Sequence, residues 1–358
     1  MASRCSGEGD GRRPAAARQF SAGAEHAGMR LDVFVAAALG CDCSRSQAAR
    51  LIKAGLVAVN GAPARAARLL HAADLVRVEP APPVARASPE TAQSVEVEVL
   101  HADQALIVVN KPAGLVVHRG AGAVGFTLVD WLWASFPEFL AWPDPDGVLR
   151  PGIVHRLDKG TSGVMVIARN PGVRQRLARQ FEDRTVAKTY LAVVRGIVGR
   201  DRFTVSRAVG RHPATRTKMS VDAPRARPAA SDIVVLHRLE PGALREPVSL
   251  VKVVPRTGRT HQIRVHLASI GHPCLGDALY GGGGRRGGFF ERQALHAFAL
   301  ELAHPLTGAR VGFVAPPPAD FVAFLEACGL WEGMARLKRQ VLAASVRGPA
   351  VDNTGVVG

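Results

Sequence analysis

The sequence is short of aromatics and of acids, and it has no long apolar run. Phe, Trp and Tyr supply 5% of its 358 residues and only two are tyrosines, so each tyrosine beside basic residues is worth following. No stretch approaches the roughly 20 apolar residues of a membrane span. Residues 1–25 contain Arg and Ala but no continuous apolar core, so a secretory signal is not expected. The five cysteines (Cys5, Cys41, Cys43, Cys274 and Cys328) are odd in number and irregularly spaced. That argues against a disulfide framework and for a reducing, cytoplasmic setting. Cys41 and Cys43 lack the spacing of a zinc knuckle, so no metal site is expected there.

The acid deficit is large. Lys and Arg number 46 against 30 Asp and Glu, a net charge of +16, and the pI is near 10.8. Such a field attracts a polyanion, with nucleic acid the first candidate. The competing explanation is a surface on which Arg has simply replaced Lys. The hydrophobic fraction of 47% is ample for buried cores, and the length fits two domains plus tails.

The chain is expected to divide as a disordered tail over 1–27, a small module over 28–80, a linker over 81–94, a larger domain over 95–342 and a flexible tail over 343–358. In the module, Leu31, Phe34, Val35 and Leu39 repeat at helical spacing. Ser44 caps a second helix whose inner positions are Ala48, Leu51 and Ile52, and whose other faces carry Arg45, Arg50 and Lys53. A strand over 56–59 ends in the turn Asn60-Gly61, and 75–78 reads as another strand. Pro80, Pro82 and Pro83 open the linker. In the larger domain, strands are expected at 95–100, 105–110, 164–168, 190–194 and 250–254, and helices around 130–133 and 173–181. The strand signals are not separated by regular helices, so a mixed, largely antiparallel α+β sheet is expected rather than a doubly wound one.

Gly120 to Gly125 matches G-x-G-x-x-G, but a dinucleotide site needs a βαβ unit with an acid about 20 residues on. Downstream lies Trp142-Pro143-Asp144-Pro145, a loop composition, so no nucleotide cofactor is expected. Gly281–Gly284 lacks the Gly-Lys-Ser/Thr of a P-loop and reads as part of a flexible basic loop.

One segment carries more chemistry: Gly152-Ile153-Val154-His155-Arg156-Leu157-Asp158-Lys159-Gly160-Thr161-Ser162-Gly163. It is polar and enters a strongly apolar strand, a usual setting for an active-site loop. Arg156 and Lys159 flank the carboxylate of Asp158 and stabilise its ionised form, as a nucleophile or base requires. Charge pattern alone fits a structural ion pair equally well. A second segment, Arg256 to His266, runs from a strand through a Thr-Gly turn into a helix, with Thr260 as its expected cap. Ile263 and Leu267 share its inner face, and Arg264 beside them needs a carboxylate if it is buried. His261 and His266 stand five apart, a poor spacing for a metal pair. Tyr190, after Lys188-Thr189, is either a core aromatic or a platform for a base.

The segment around Asp158 resembles the catalytic motif of the RluA-type pseudouridine synthases. Asn110-Lys111-Pro112-Ala113-Gly114-Leu115-Val116-Val117-His118 resembles their first motif, and Tyr190 and Thr257–Arg264 resemble two more. The likeness extends to Arg211–Met219, Gly276–Gly281 and Arg292–Ala297, and residues 28–80 resemble the S4 RNA-binding module that precedes this domain in several members. Gly160 and Ser162 depart from residues that are often Asp and Thr in the most similar subtype, the large-subunit ribosomal RNA synthase D type.

The resemblance implies Asp158 as the catalytic aspartate and Arg264 as the partner that orients it. It implies Tyr190 as the residue that stacks on the flipped uracil. Arg156 would help to flip the base, Ile263 would line its pocket, and His155 would belong to the substrate-binding set. Arg45, Arg50 and Lys53 would hold RNA phosphates. The implied protein is an enzyme that needs no cofactor, works on large-subunit (23S) ribosomal RNA and acts as a monomer. A non-catalytic RNA-binding or ribosome-assembly factor built from the same parts is the alternative. The presence of Asp158, Tyr190 and Arg264 together favours the enzyme.

Overall fold

The structure, a computed structural model, describes residues 17–39, 43, 45–79, 95–119, 125–141, 150–215, 217–240, 246–281 and 290–329. The linker over 81–94, the tail over 343–358, residues 120–124 of the glycine motif and residues 282–288 of the basic loop lie outside them. The chain divides into two compact units, one built from residues 17–79 and one from residue 95 onward.

The first unit sets two helices against a four-stranded sheet. Helices α1 (Leu31–Leu39) and α2 (Arg45–Lys53) bury Phe34, Val35, Leu51 and Ile52 against the sheet residues Val57, Val59, Val76 and Val78. The strands are β1 (Arg18–Ser21), β2 (Val57–Val59), β3 (Ala62–Pro63) and β4 (Leu75–Val78), antiparallel in the order β1-β4-β2-β3. Asn60 and Gly61 both take positive φ, 52° and 79°, as a two-residue hairpin turn of the right twist requires. The expected disordered tail over 1–27 is corrected in its second half. Arg18 pairs with Val78 and Ser21 with Leu75, so β1 satisfies the backbone groups of the β4 edge. Four residues with one aromatic are too few for period-2 patterning to show. Residues 1–16 lie outside the described part.

Among the described residues, the second unit is built on a sheet of nine strands. These are β5 (Glu98–Ala102), β6 (Leu106–Lys111), β7 (Ser162–Ala168), β8 (Ala187–Arg195), β9 (Arg202–Ser206), β12 (Ala230–Leu239), β13 (Val248–Pro255), β14 (Leu295–Ala303) and β15 (Arg310–Val314). They run in the order β5-β6-β7-β14-β8-β13-β12-β9, with β15 beside β14. Among the described residues every pairing is antiparallel except that of β7 with β14. This is the mixed, mostly antiparallel α+β sheet that the unspaced strand signals imply. β10 (Val209–Arg211) and β11 (Met219–Val221) pair separately. The helices are α3 (Leu128–Ser135), α4 (Pro171–Glu182), α5 (Gln262–Ser269) and α6 (Ala319–Ala327). Among the described residues no helix is long and apolar enough to cross a membrane.

The central strands of the sheet are buried on both faces, and strand parity decides what each face meets. Leu191 and Val193 of β8 pack with Phe298, Phe321 and Phe324, under α6. Ala192 and Val194 point the other way, into a cluster with Val251, Val253, Ile263 and Leu267 under α5. Tyr190 shares this second parity and packs against that cluster. The strand therefore aims its aromatic ring at the helix that carries Arg264.

Gly163 stands where β7 meets β14, at φ 119°, and a Cβ there would lie 2.2 Å from the Ala297 carbonyl oxygen. Neither backbone can yield without breaking the junction. Gly163→Ala is therefore expected to cost about 3 kcal/mol, read as a fall in the denaturant midpoint at unchanged slope. A midpoint equal to the wild type would show that the junction can open.

Candidate active site

Asp158 sits on a loop that the fold pins at several points. Leu157 is buried, Thr161 N–H donates to the Asp158 carbonyl at 3.0 Å, and Gly114 N–H donates to the Lys159 carbonyl at 2.8 Å. Lys111, at the end of β6, is 0% exposed, and its Nζ donates to the carbonyls of Pro112, Leu115 and Lys159 at 2.8, 2.9 and 3.4 Å. One ammonium group thus ties the 112–115 turn to the residue after Asp158. Burial, with help from Arg292 and against the pull of Asp158, pushes Lys111 down to about 7. From the other side, Arg292 donates to the Gly160 carbonyl at 3.0 Å and makes a two-armed ion pair with Asp320 of α6, both arms at 2.8 Å.

Arg264 comes from the first turn of α5 and is 7% exposed. Its Nη1 donates to Asp158 Oδ2 at 3.0 Å. Its Nε and Nη2 grip Asp277 at 2.7 and 2.8 Å, and Asp277 is 1% exposed. The guanidinium therefore lies between two carboxylates, one buried and one facing a cavity. A bidentate pair of this kind fixes the plane of the guanidinium, so the remaining donor presents to Asp158 in one direction. Two acids against one cation would be costly in a dry interior. Asp158 is only half-buried, which relieves that cost.

The start of α5 differs from expectation. Thr260 does not cap it. The helix begins at Gln262, and His261 before it takes a left-handed conformation at φ 55° with no side-chain cap. Gln262 instead turns back on the preceding loop, where its Oε1 accepts from Thr257 Oγ1 at 2.6 Å and from Arg259 N–H at 3.0 Å. The left-handed turn brings His261 beside the acid, with Nε2 3.8 Å from Asp158 Oδ1, and sets Nδ1 2.9 Å from the Tyr280 hydroxyl. Tyr280 also lies over the Arg264 guanidinium at 5.1 Å, and its hydroxyl accepts from Met219 N–H at 2.9 Å. His266 faces away and is held by Ser231 and the Arg207 carbonyl.

A cavity of about 570 Å³ gathers the expected site residues. Asp158, Arg264, Tyr190, Arg156, Ile263 and His155 all line it. Burial, and then the charge of Asp158, push the Tyr190 hydroxyl up, so the phenol holds its proton more tightly than a free tyrosine does. Arg156 is exposed and Ile263 is buried. His155 contributes as a wall. Its Nε2 accepts from Val166 N–H at 3.0 Å, its ring stacks on Phe181 at 4.7 Å, and burial pushes it down to about 3. Asp277, Tyr280, Lys111 and Arg292 carry no role in the sequence reading. All four fall inside motif blocks, and the burial of Arg264 was the signal that a carboxylate must accompany it.

Arg45, Arg50 and Lys53 are on the other unit, all exposed on α2. Arg45 donates to Asp32 at 3.0 Å. Arg30 first, and then Arg45, hold that buried carboxyl down to about 2.

Comparison with known proteins decides what this geometry belongs to. The RNA pseudouridylate synthase family model matches residues 105–269, and the S4 domain model matches residues 29–76. An uncharacterized RNA pseudouridine synthase of Bacillus subtilis is 37% identical over 307 residues, covering 86% of this chain and 96% of the relative. The chain belongs to the RNA pseudouridine synthase family. It is an isomerase that binds RNA. The ribosomal large subunit pseudouridine synthase D of Pseudomonas aeruginosa is 38% identical over 318 residues, covering 84% of this chain and 92% of the relative. Among solved structures, human RNA pseudouridylate synthase domain containing 1 aligns with a TM-score of 0.53 at 29% identity, over 75% of this chain and all of that one.

Proposed function

We propose that this synthase isomerises uridines of large-subunit (23S) ribosomal RNA, with Asp158 as its catalytic carboxylate. The observation that carries the reading is the line Asp277–Arg264–Asp158, which opens into the cavity that also holds Tyr190 and Ile263. The reaction breaks the bond from ribose to N1 of uracil and forms one from the same ribose carbon to C5. N1 gains a proton and C5 loses one, so no atom is gained overall. The base is stacked in its stem and must be extruded before any side chain reaches it.

In this reading Arg156 enters the vacated place, and Tyr190 stacks on the flipped uracil above Ile263. Arg264, clamped by Asp277, keeps the Asp158 carboxylate aimed at the nucleoside. The sequence relatives named for the large ribosomal subunit support the choice of RNA. The same reading has the protein acting as a monomer in the cytoplasm. The test is chemical mapping of pseudouridine in ribosomal RNA from cells with and without the protein. The expected result is loss of signal at a small set of large-subunit uridines. An unchanged map would overturn the choice of target.

The basic face of α2 is proposed to hold a neighbouring stem by its phosphates. Arg50 and Lys53 are the outer pair. Arg50→Gln with Lys53→Gln is expected to weaken RNA binding across sequences and to reduce the slope of log affinity against log salt by about 2. A titration in which the slope is unchanged would remove these residues from the interface.

A further inference from the structure

Lys188 and Tyr190 stand two residues apart on β8, so their side chains leave the same face of the sheet. Both line the cavity of about 570 Å³, as does Arg184 from the turn between α4 and β8. Arg184 takes φ 60°, and Thr185 N–H after it donates back to the Gln180 carbonyl at 3.0 Å. Helices that close in this way usually place glycine at the left-handed position, so a long cation stands there against the backbone preference.

Neither cation is matched by an anion of the protein. Among the described residues the Lys188 ammonium and the Arg184 guanidinium have no hydrogen-bond or ion-pair partner. Lys188 is half-buried, yet its Nζ is reachable: the one sealed side-chain nitrogen or oxygen left without a partner among those residues is His118 Nδ1. Burial, and then the charge of Arg184, hold Lys188 below its usual range. A half-buried cation beside a second cation is costly unless an anion joins them. The two acids on the cavity wall do not serve. Asp158 is engaged by Arg264 at 3.0 Å, and Glu182 is exposed and stands within ion-pair reach of neither cation.

Alternate residues of a strand are about 7 Å apart. That step is comparable to the reach from a base to the phosphate of its own nucleotide. We propose that Lys188 and Arg184 receive the 5′ phosphate of the flipped uridine. The proposal rests on the reading that Tyr190 stacks on the target base, and it adds the groups that hold the extruded backbone at the cavity. An ammonium also donates to a uracil carbonyl, but two adjoining cations without an acid call for a full negative charge.

The test uses the full chain and an RNA hairpin containing a uridine that the wild type converts. One hairpin carries a neutral methylphosphonate in place of the phosphate 5′ of that uridine. Its control keeps the ordinary phosphate, and both carry a 2′-deoxy sugar on the preceding nucleotide to prevent strand cleavage. With wild type, kcat/KM is expected to fall about tenfold or more on the neutral linkage. Lys188→Met is expected to lose a similar factor on the control and little further on the neutral hairpin. It is also expected to reduce the slope of log kcat/KM against log salt by about 1, which loss of a contact to an uncharged base would not do. Its denaturant midpoint is expected to stay at or above the wild type, because the ammonium it removes has no partner in the fold. Equal wild-type rates on the two hairpins would overturn the proposal, and that arm depends on no variant's folding. Full multiplication of the two losses, an unchanged salt slope or a clear fall in the midpoint would each count against it. Tyr190→Leu, run alongside on the control, tests the stacking reading separately: conversion at the wild-type rate sinks that reading whatever the neutral linkage does.

Discussion

Asp277→Asn is expected to lower stability by about 3 kcal/mol and turnover by about 100-fold. The buried carboxylate accepts from both Nε and Nη2 of Arg264, and its Oδ1 also accepts from Leu279 N–H at 3.0 Å and Tyr280 N–H at 3.2 Å. Asparagine keeps the volume but turns one acceptor into a donor. That donor faces a guanidinium N–H, and two donors cannot pair. The guanidinium must then rotate or leave one N–H unsatisfied in a site that is 7% exposed. Either change moves the donor that Asp158 depends on, and a shift of about 1 Å in a catalytic group suffices for a loss of this size. Denaturant melts and single-turnover rates on one preparation check both numbers. Melts and rates within threefold of the wild type would show that Asp277 does not hold Arg264 in place.

Asp158→Asn is expected to behave in the opposite way, with stability and RNA affinity close to wild type and turnover down at least about 10³-fold. Asp158 accepts one hydrogen bond from Arg264, is half-buried and faces a cavity. Arg264 keeps its bidentate partner when Asp158 is neutralised, so no buried cation is stranded. RNA affinity comes from cations spread over the protein, and removing one anion does not weaken it. The two acids on one arginine are thus expected to separate: Asp277→Asn loses stability along with turnover, and Asp158→Asn loses turnover alone. Paired measurement of melting and turnover on both variants distinguishes them. Equal stability losses would mean that the carboxylates are interchangeable structural partners.

What the sequence disclosed follows physical scale. In the first unit, α1 carries a full apolar stripe, and the Asn60-Gly61 turn fixes a hairpin by its own backbone preference, so both were legible. β1 was not, because four residues hold too little pattern and take their order from the β4 edge. In the sheet, β6, β7, β8 and β13 are buried on both faces and read as apolar runs. The strand at Arg202 is mostly exposed, the one at Arg310 is short and opens on an exposed charge, and in the one at Ala230 half-buried Asp232 and Arg238 bracket a short apolar run. Leu295–Ala303 is apolar, but its His and alternating alanines hid a strand that lies at the centre of the sheet. Asp158, Tyr190 and Arg264 stand out in the sequence only through ordered motif blocks, since charge pattern alone leaves Asp158 level with an ordinary ion pair. Asp277 is not legible in the sequence, because a buried arginine calls for one carboxylate and Asp158 already supplies it. The second is reached only through a turn 13 residues further on, whose fold no local pattern specifies.

The most direct test of Asp158 as the catalyst is release of tritium from RNA labelled at C5 of uridine, with the wild type and Asp158→Asn compared at equal bound RNA. C5 must lose its hydrogen for pseudouridine to form, so release counts turnovers whichever uridine is chosen. The account predicts steady release by the wild type and none above background by Asp158→Asn, with both proteins binding the RNA equally. Release by Asp158→Asn at a rate within tenfold of the wild type would contradict it.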